Sequence, residues 1–452
     1  MKRNYLGSIW FVSTLLLFNS VVCGQTNQKP PNVIIIYTDD QGTIDANCFG
    51  ATDLYTPNID ALAESGVKFT QFYAAASICS PSRAALLTGK TPLAAGLPGN
   101  TTPTKGKTGL PTEQITIAEK LKSMGYTTGH VGKWHLGHTE DTRPNAQGFD
   151  YSFGHLGGCI DNYSHFFYWS GPNRHDLWEN ENEVWHDGEY FQDLMAQKAN
   201  KFLEGNQNNP FFLYYAINLP HYPLQGTDKW REHYKDMDKP RADYAACVST
   251  VDERIGILLD QLEALKIRDQ TIVIFQSDHG HSMEKRTFGG GGSAGIYRGA
   301  KFSLFEGGIR VPAIISWPGK IPQNKVRNQM AVNVDWFPTI LDYQGIKYDP
   351  DEFEGLSLKK LIQDNAASPH ESFWWWKSKK EWAVRKGDWK LLKNPTDPTK
   401  RAPIHKKDSL FLVNIRQNPE ELVNEAAKNP EVVKDLIQEM NSWYDRIDDT
   451  LK

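Results

Sequence analysis

Six short segments of this 452-residue chain carry the side chains best suited to chemistry: Asp39-Asp40, Cys79, Lys133 with His135, His221, Asp278-His279, and Lys301. Adjacent carboxylates can bind a hard divalent cation through oxygen, although such pairs more often cap a helix or face solvent. Asp278-His279 shifts that balance, because with Asp39 and Asp40 it offers four potential ligands. Cys79 stands just ahead of Pro81, at the first turn of a predicted helix, where free N–H groups and the helix dipole favour an anion. Arg83 lies one turn further on. A lone cysteine before a helix is more often a buried structural thiol. Lys133 and His135 are two residues apart, so on an extended segment their side chains share a face.

These residues need elements to hold them. Val33 to Tyr37 is an unbroken β-branched run, the pattern of a strand buried on both faces of a parallel sheet, and it ends at Asp39-Asp40. Phe211 to Ile217 and Thr271 to Gln276 read the same way and end at Pro220-His221 and Asp278-His279. Ligands bind at that carboxyl edge in open α/β sheets. Thr56-Pro57 predicts a helix with Ile59, Leu62 and Ala63 on one face, closed by Gly66. Arg241 to Leu265 has the long helical period of a crossover. After about Gly345 the character changes. Trp382 to Leu392 is a hairpin pattern turning at Lys386-Gly387-Asp388, Leu410 to Val413 is a strand, and Asn429-Pro430 opens an amphipathic helix. The predicted organisation is residues 1–24 as a signal peptide, 25–345 as a catalytic α/β unit, and 346–452 as a small α+β subdomain.

Lys2 and Arg3 precede an apolar run from Ile9 to Phe18, then small and polar residues to Gln25, which reads as a secretory signal. The run is about half of the ~20 residues that span a membrane, so stable membrane insertion is not expected. Cys23 could be lipidated, but Val22 is bulky where a lipobox takes Gly or Ala. The expected location is exported, periplasmic or secreted. The remaining cysteines, Cys48, Cys79, Cys159 and Cys247, are too few for a disulfide scaffold, though a bridge stays open. A net charge of -4 speaks against nucleic acid as partner, and a mean hydropathy of -0.54 against a multi-span membrane protein.

Aromatics make up 12% of the chain, with 14 Trp, which fits either large aromatic cores or flat surfaces for sugar rings. They crowd between Asp161 and Phe191, where Tyr163, His165, Trp169, Arg174 and His175 are candidate substrate contacts on a rim or members of a packed insertion. Phe288 to Ser293 lacks the Lys of a P-loop and reads as a flexible loop near Lys301. Asn100-Thr101-Thr102 and Asn162-Tyr163-Ser164 are glycosylation sequons.

The run Cys79-Ser80-Pro81-Ser82-Arg83, continuing to Gly89, closely resembles the signature of the type I, formylglycine-dependent sulfatases. Asp39-Asp40, Gly132 to Gly137, Pro220-His221, Ser277 to Gly280, Lys301, Glu306 to Pro312 and Val384 to Lys390 follow in that family's order. The resemblance implies an alkaline-phosphatase-like fold: a large, mostly parallel sheet sandwiched by helices, with a smaller C-terminal α+β subdomain. It implies that a maturase oxidises Cys79 to formylglycine, whose hydrate attacks a sulfate ester. By similarity Arg83 positions that group and His135 deprotonates it, while His221 with Lys301 protonates the departing sugar oxygen. Lys133, Lys301 and one calcium ion surround the sulfate, the ion being held by Asp39, Asp40, residue 79, Asp278 and His279. His279 stands where many members have Asn, and nitrogen is the less natural calcium ligand. The implied substrate is a sulfated glycan, with galactose or N-acetylgalactosamine sulfate the first choice. The modest net charge points to exo action in a pocket rather than along a polyanion track. The competing readings are a phosphatase or phosphodiesterase on the same fold, and a glycan-binding protein with a degenerate site.

Overall fold

The computed structural model describes Met1 and residues 29–103, 109–169, 171–405 and 408–450. The predicted signal peptide and Cys23 lie outside the described residues. Among the described residues, no helix is long and apolar enough to cross a membrane.

The strand Asn32–Asp39 runs through the middle of a ten-stranded sheet, parallel to Phe211–Pro220 on one side and Thr271–Ser277 on the other. All three are buried from end to end, as their unbroken apolar runs require. Thr127–Lys133 and Tyr151–His155 extend the parallel part beyond Phe211–Pro220. Ala313–Ser316 pairs antiparallel with Thr271–Ser277, and Gly66–Phe69 and Lys325–Arg327 complete that side. Successive side chains enter opposite layers. Val33, Ile35 and Tyr37 join a core with Trp336, Phe337 and Leu341, whereas Ile34 and Ile36 pack with Phe191, Leu194, Val251 and Ile255 from the helices Phe191–Asn206 and Arg241–Ala264.

Two local expectations change. The helix Pro57–Glu64 ends at Ser65, and Gly66 opens the next strand. Gly66 is needed there for close approach, since a Cβ would fall 2.1 Å from the carbonyl of Ile315. Thr127–Lys133, which lacks a continuous apolar run, is nevertheless a strand next to the central ones. Its Gly132 lets the backbones meet, because a Cβ would lie 2.0 Å from the Ala216 carbonyl.

A second, antiparallel sheet contains Ser372–Ser378, Glu381–Lys386, Trp389–Lys393 and Leu410–Asn414. The helix Pro430–Thr450 covers one face through Leu436, Met440 and Trp443, which pack on Val384, Leu391 and Leu412. The other face, with Phe373, Trp375 and Phe411, packs on Tyr73, Phe305 and Ile309. The interface also holds a buried ionic network. Lys390 Nζ donates to Glu306 Oε1 at 2.9 Å and Glu421 Oε1 at 3.1 Å, and Glu421 Oε2 accepts from the Glu306 amide at 2.6 Å. Arg298 donates to Asp397 Oδ2 and to the carbonyls of Ala402 and Glu421. The segment carrying Lys301 is thus tied at one end, through Arg298, to the connections flanking the strand Leu410–Asn414 and at the other, through Glu306, to Lys390 in the second sheet.

Trp134, Trp336, Trp375 and Trp443 are fully buried. A substantial part of the aromatic content therefore serves packing. All four described cysteines are free, so the bridge left open by the sequence does not form.

Candidate active site

The carboxyl ends of four parallel strands converge with one helix N-terminus. Cys79 is the first residue of the helix Cys79–Thr88, every residue of which is buried. The preceding Ile78 offers no side-chain cap. Instead Asn100 Oδ1 accepts from the Ser80 amide at 3.0 Å, and Ser80 Oγ accepts from the Thr101 amide at 3.1 Å. A loop distant in sequence therefore satisfies the first turn.

Cys79 Sγ lies 3.3 Å from His279 Nε2 and 3.7 Å from Asp39 Oδ1. Lys133 Nζ meets Asp39 Oδ2 at 2.5 Å, and Lys301 Nζ lies 2.9 Å from Asp40 Oδ1 and 3.0 Å from its Oδ2. Arg83 donates to Asp278 Oδ2 at 3.0 Å, to the Lys133 carbonyl at 3.2 Å and to Tyr214 Oη at 3.3 Å. These contacts lock the Cys79 helix to two strand ends. His221 Nε2 is 3.8 Å from Asp40 Oδ2, and its Nδ1 donates to the Tyr222 carbonyl at 2.8 Å. Asp40 itself takes a left-handed backbone, φ 62°, and its amide donates to Asp278 Oδ1. His135 is also left-handed, φ 56°, beyond the end of its strand, so the extended geometry expected to give it a common face with Lys133 does not hold, although both side chains bear on Cys79. Its ring packs on Gly158, where a Cβ would come within 2.9 Å.

Burial sets the protonation of these groups. It lifts the Asp40 carboxyl to about 7 against the pull of Lys301, and raises Asp39 despite Lys133. Burial also opposes the Cys79 thiolate, but Lys133 and Lys301 outweigh it and hold the thiol well below its ordinary value. Desolvation pushes His135 down to about 4 and His221 well below the usual histidine range, so both imidazoles are neutral at pH 7. For His279 burial works in the same direction, but Asp278 and Cys79 override it and bring the ring to about 9.

Above this floor opens a cleft of about 410 Å³, lined by Cys79, His135, His221 and Lys301 together with His138, Tyr222, Arg286 and Arg174. Of the predicted substrate contacts, Arg174 reaches the cleft, its guanidinium 4.1 Å from the Phe167 ring centroid, and Trp169 sits behind the lining against Tyr222. Tyr163 packs on Tyr190, while His165 and His175 face one another; these three are not among the lining residues. Asn162 of the second sequon is fully buried and bonded to Gln192, Gln225 and Asn218, which leaves no room for a glycan. Sequence reasoning missed His138 and Tyr222, which sit in loops, and Arg286, which sits in the short 3-10 turn Lys285–Thr287; none has a distinguishing pattern.

Residues 31–346 match the family model described as Sulfatase, and residues 294–446 match the C-terminal model of N-sulphoglucosamine sulphohydrolase. The chain belongs to the sulfatase family. This sulfatase is 31% identical to arylsulfatase A of Homo sapiens over 93% of its own length and 89% of the relative's. It is 33% identical to the N-acetylgalactosamine-6-sulfatase of Canis lupus familiaris over 73% of this chain and 65% of that one. A solved structure, Ps i-CgsB in complex with k-i-k-neocarrahexaose, superposes with a TM-score of 0.82 at 30% identity, covering 92% of this chain and 93% of the other. The fold is that of the alkaline-phosphatase-like sulfatases, and the enzyme hydrolyses sulfate esters.

The family implies a divalent cation, and the residues present fit one. Ligand atoms of Asp39, Asp40, Cys79 and His279 lie within 4.8 Å of one another, all buried. Asp40 Oδ1 is paired with Lys301 but completes no hydrogen bond. His279 Nδ1 donates to the Gly280 carbonyl at 2.9 Å, which leaves Nε2 to face the carboxylates of Asp40 and Asp278, each 3.5 Å away. An outer hydrogen bond of this kind orients metal-binding histidines.

Proposed function

We propose that this sulfatase removes sulfate from a chain-end sugar of a sulfated glycan, using residue 79 as formylglycine and one calcium ion. The observation that carries the reading is the placement of Cys79 at the floor of a cleft where Lys133, Lys301 and Arg83 face three buried carboxylates. A sulfate ester brings negative charge, and preorganised cations in a water-poor site stabilise what develops on its oxygens.

Asp39, Asp40, residue 79, Asp278 and His279 would hold the calcium, which when bound would supply Lewis-acid polarisation of a sulfate oxygen. Formylglycine at position 79, once hydrated by water to its geminal diol, would supply one hydroxyl for attack and a second through which sulfate can be released. Arg83, bonded to Asp278 and to the Lys133 carbonyl, fixes the helix that presents residue 79. His135, neutral beside that residue, is the proton acceptor. His221 has its Nδ1 proton fixed on the Tyr222 carbonyl, so its Nε2 is the atom available toward the ester oxygen, with Lys301 alongside in the cleft. Arg174 and Arg286 flank the entrance and suit a further sulfate or carboxylate on the glycan.

The exo assignment rests on the modest cleft volume of about 410 Å³ and on the nearly balanced net charge, which offers no long electropositive track for a polyanion. Two similar proteins bear on the sugar: one is named N-acetylgalactosamine-6-sulfatase, which supports N-acetylgalactosamine sulfate as first choice, and the other is bound to an oligosaccharide, k-i-k-neocarrahexaose. Chromatography of products from a panel of sulfated mono-, oligo- and polysaccharides tests the proposal. Chain-end desulfation is expected. Release from the interior of polymer without end preference refutes the exo reading, and turnover of aryl sulfates alone refutes the glycan. For the nucleophile, peptide mass spectrometry of active enzyme should find residue 79 about 18 Da lighter than cysteine, as exchange of a thiol for an aldehyde requires. Full activity with an intact thiol overturns it.

A further inference from the structure

Among the described residues, a second cluster of potential ligands lies outside the active site and has no role in the proposed sulfate hydrolysis. His165, His175 and Asp187 place one ligand atom each within 4.8 Å of the others. His165 is fully buried, and neither ring nitrogen completes a hydrogen bond, although the Glu189 backbone lies nearby. A buried imidazole with one backbone group at the margin of hydrogen-bonding reach as its polar neighbour calls for an explanation. The His175 ring is stacked on Trp185 at 3.8 Å, nearly parallel, and its Nδ1 bonds Glu183 Oε1 at 2.8 Å. That carboxylate fixes the proton on Nδ1 and leaves Nε2, which is buried and unpartnered, with its lone pair free. A carboxylate behind a histidine is the outer arrangement that orients metal-binding imidazoles.

We propose that His165, His175 and Asp187 form a second metal site, separate from the sulfatase centre, that takes a borderline transition ion, zinc foremost. Two imidazoles and one carboxylate are zinc's donor set, whereas calcium prefers oxygen throughout. Bonds of about 2.0–2.1 Å put tetrahedral donors about 3.4 Å apart, so a small inward rotation closes the site around the ion. The position in the fold says what the ion does. His175 pairs with Phe166 and Arg174 with Phe167 in a two-stranded ribbon. Because side chains alternate, the face that carries His175 is opposite the one that sends Phe167 and Arg174 into the cleft. Zinc would pin that ribbon to the loop carrying Asp187 and so fix one wall of the substrate cleft.

The test uses the full mature chain without a histidine tag, in the Cys79→Ala background and in saturating calcium, so that the sulfatase centre takes no zinc. Zn²⁺ alone is titrated against a chromophoric chelator, and Co²⁺ is added separately for its visible spectrum. One zinc per chain with micromolar or tighter affinity, and the intense visible bands of a four-coordinate cobalt site, are expected. His165→Ala and His175→Gln should each abolish both signals. Asp187→Asn, at an exposed position that does not threaten folding, should weaken zinc at least tenfold. Absence of stoichiometric zinc in the folded chain overturns the proposal, as does retention of full affinity in Asp187→Asn together with either histidine variant. Because binding is read without turnover, failure of the sulfatase mechanism would not affect this outcome.

Discussion

Lys133→Met keeps most of the side-chain stem and deletes the charge. In the native site Lys133 Nζ is 2.5 Å from Asp39 Oδ2, and both side chains are fully buried. Breaking one side of such a pair leaves an uncompensated charge at a cost of about 3–5 kcal/mol. Arg83, 3.7 Å from the other oxygen of Asp39, still compensates in part, so the lower end, about 3 kcal/mol, is expected. At roughly 2–4 °C per kcal/mol for a large domain, calcium-free enzyme should lose about 6–12 °C in Tm. The loss in rate has a different origin. A preorganised donor aimed at developing charge is worth about 10²–10³ in kcat. On the proposed mechanism, calcium held by Asp39 would replace the missing positive charge on the carboxylate but would leave the place of the ammonium beside the ester empty. Differential scanning fluorimetry with and without calcium, and sulfate release at saturating calcium, separate the two effects. The Tm loss should shrink by at least half in calcium, while kcat stays depressed at least a hundredfold. A variant within threefold of wild-type kcat, or an identical Tm loss in calcium and chelator, refutes the reasoning.

His221→Ala should slow a sulfated sugar by about 10²–10⁴ and an activated aryl sulfate by less than tenfold, because only the poor leaving group needs the proton; equal losses in parallel kinetics would remove its role as acid. Asp252 is buried and accepts from Asn58 and Ile59, and burial lifts its carboxyl to about 6. Its folded pKa is above the unfolded value near 4, so the folded state holds the proton longer and stability falls as pH rises from about 4 to 6, by about 3 kcal/mol in all. Asp252→Asn should flatten that part of the Tm profile, and an unchanged slope contradicts it. Lys390→Met strands Glu306 and Glu421 in the interface between the sheets. Burial lifts the Glu421 carboxyl to about 7, so at pH 6 it can take a proton instead; the Tm loss measured at pH 8 should therefore exceed that at pH 6, and equal losses count against the ionic account.

The parts of the fold legible in sequence are those with one dominant force. Val33 to Tyr37, Phe211 to Ile217 and Thr271 to Gln276 are unbroken apolar runs because both faces are covered, and each is a central strand. Thr127–Lys133 was hidden because Gly129 and Gly132 are chosen for backbone approach and a ring contact rather than for burial. Ser372–Ser378 mixes Trp with polar residues, since its two faces meet different cores, and no strand was read there. Within the site, the helix start at Cys79 and the strand-end carboxylates follow from local pattern. The cap that Asn100 lends to Ser80 and the cleft wall made by Tyr222 and Arg286 depend on loops meeting across the fold. His165 and His175 stand out in sequence as residues of either a rim or a packed insertion; in the fold they face each other and are not among the residues lining the cleft.

The ties that Arg298, Glu306, Glu421 and Lys390 make across the two sheets bear on how this enzyme can be recombined. A breakpoint near residue 345 looks natural along the chain. It would nevertheless graft a foreign sheet onto a segment whose arginine, amide and carboxylate expect specific partners, and Lys301 sits in the middle of that segment. The family model for the C-terminal part already begins at residue 294, ahead of Arg298. Chimeras that exchange everything from 294 onward would move the clamp and its partners together. Chimeras joined at 345 would inherit Lys301 on a loosened support, and their activity should fall even where both halves fold.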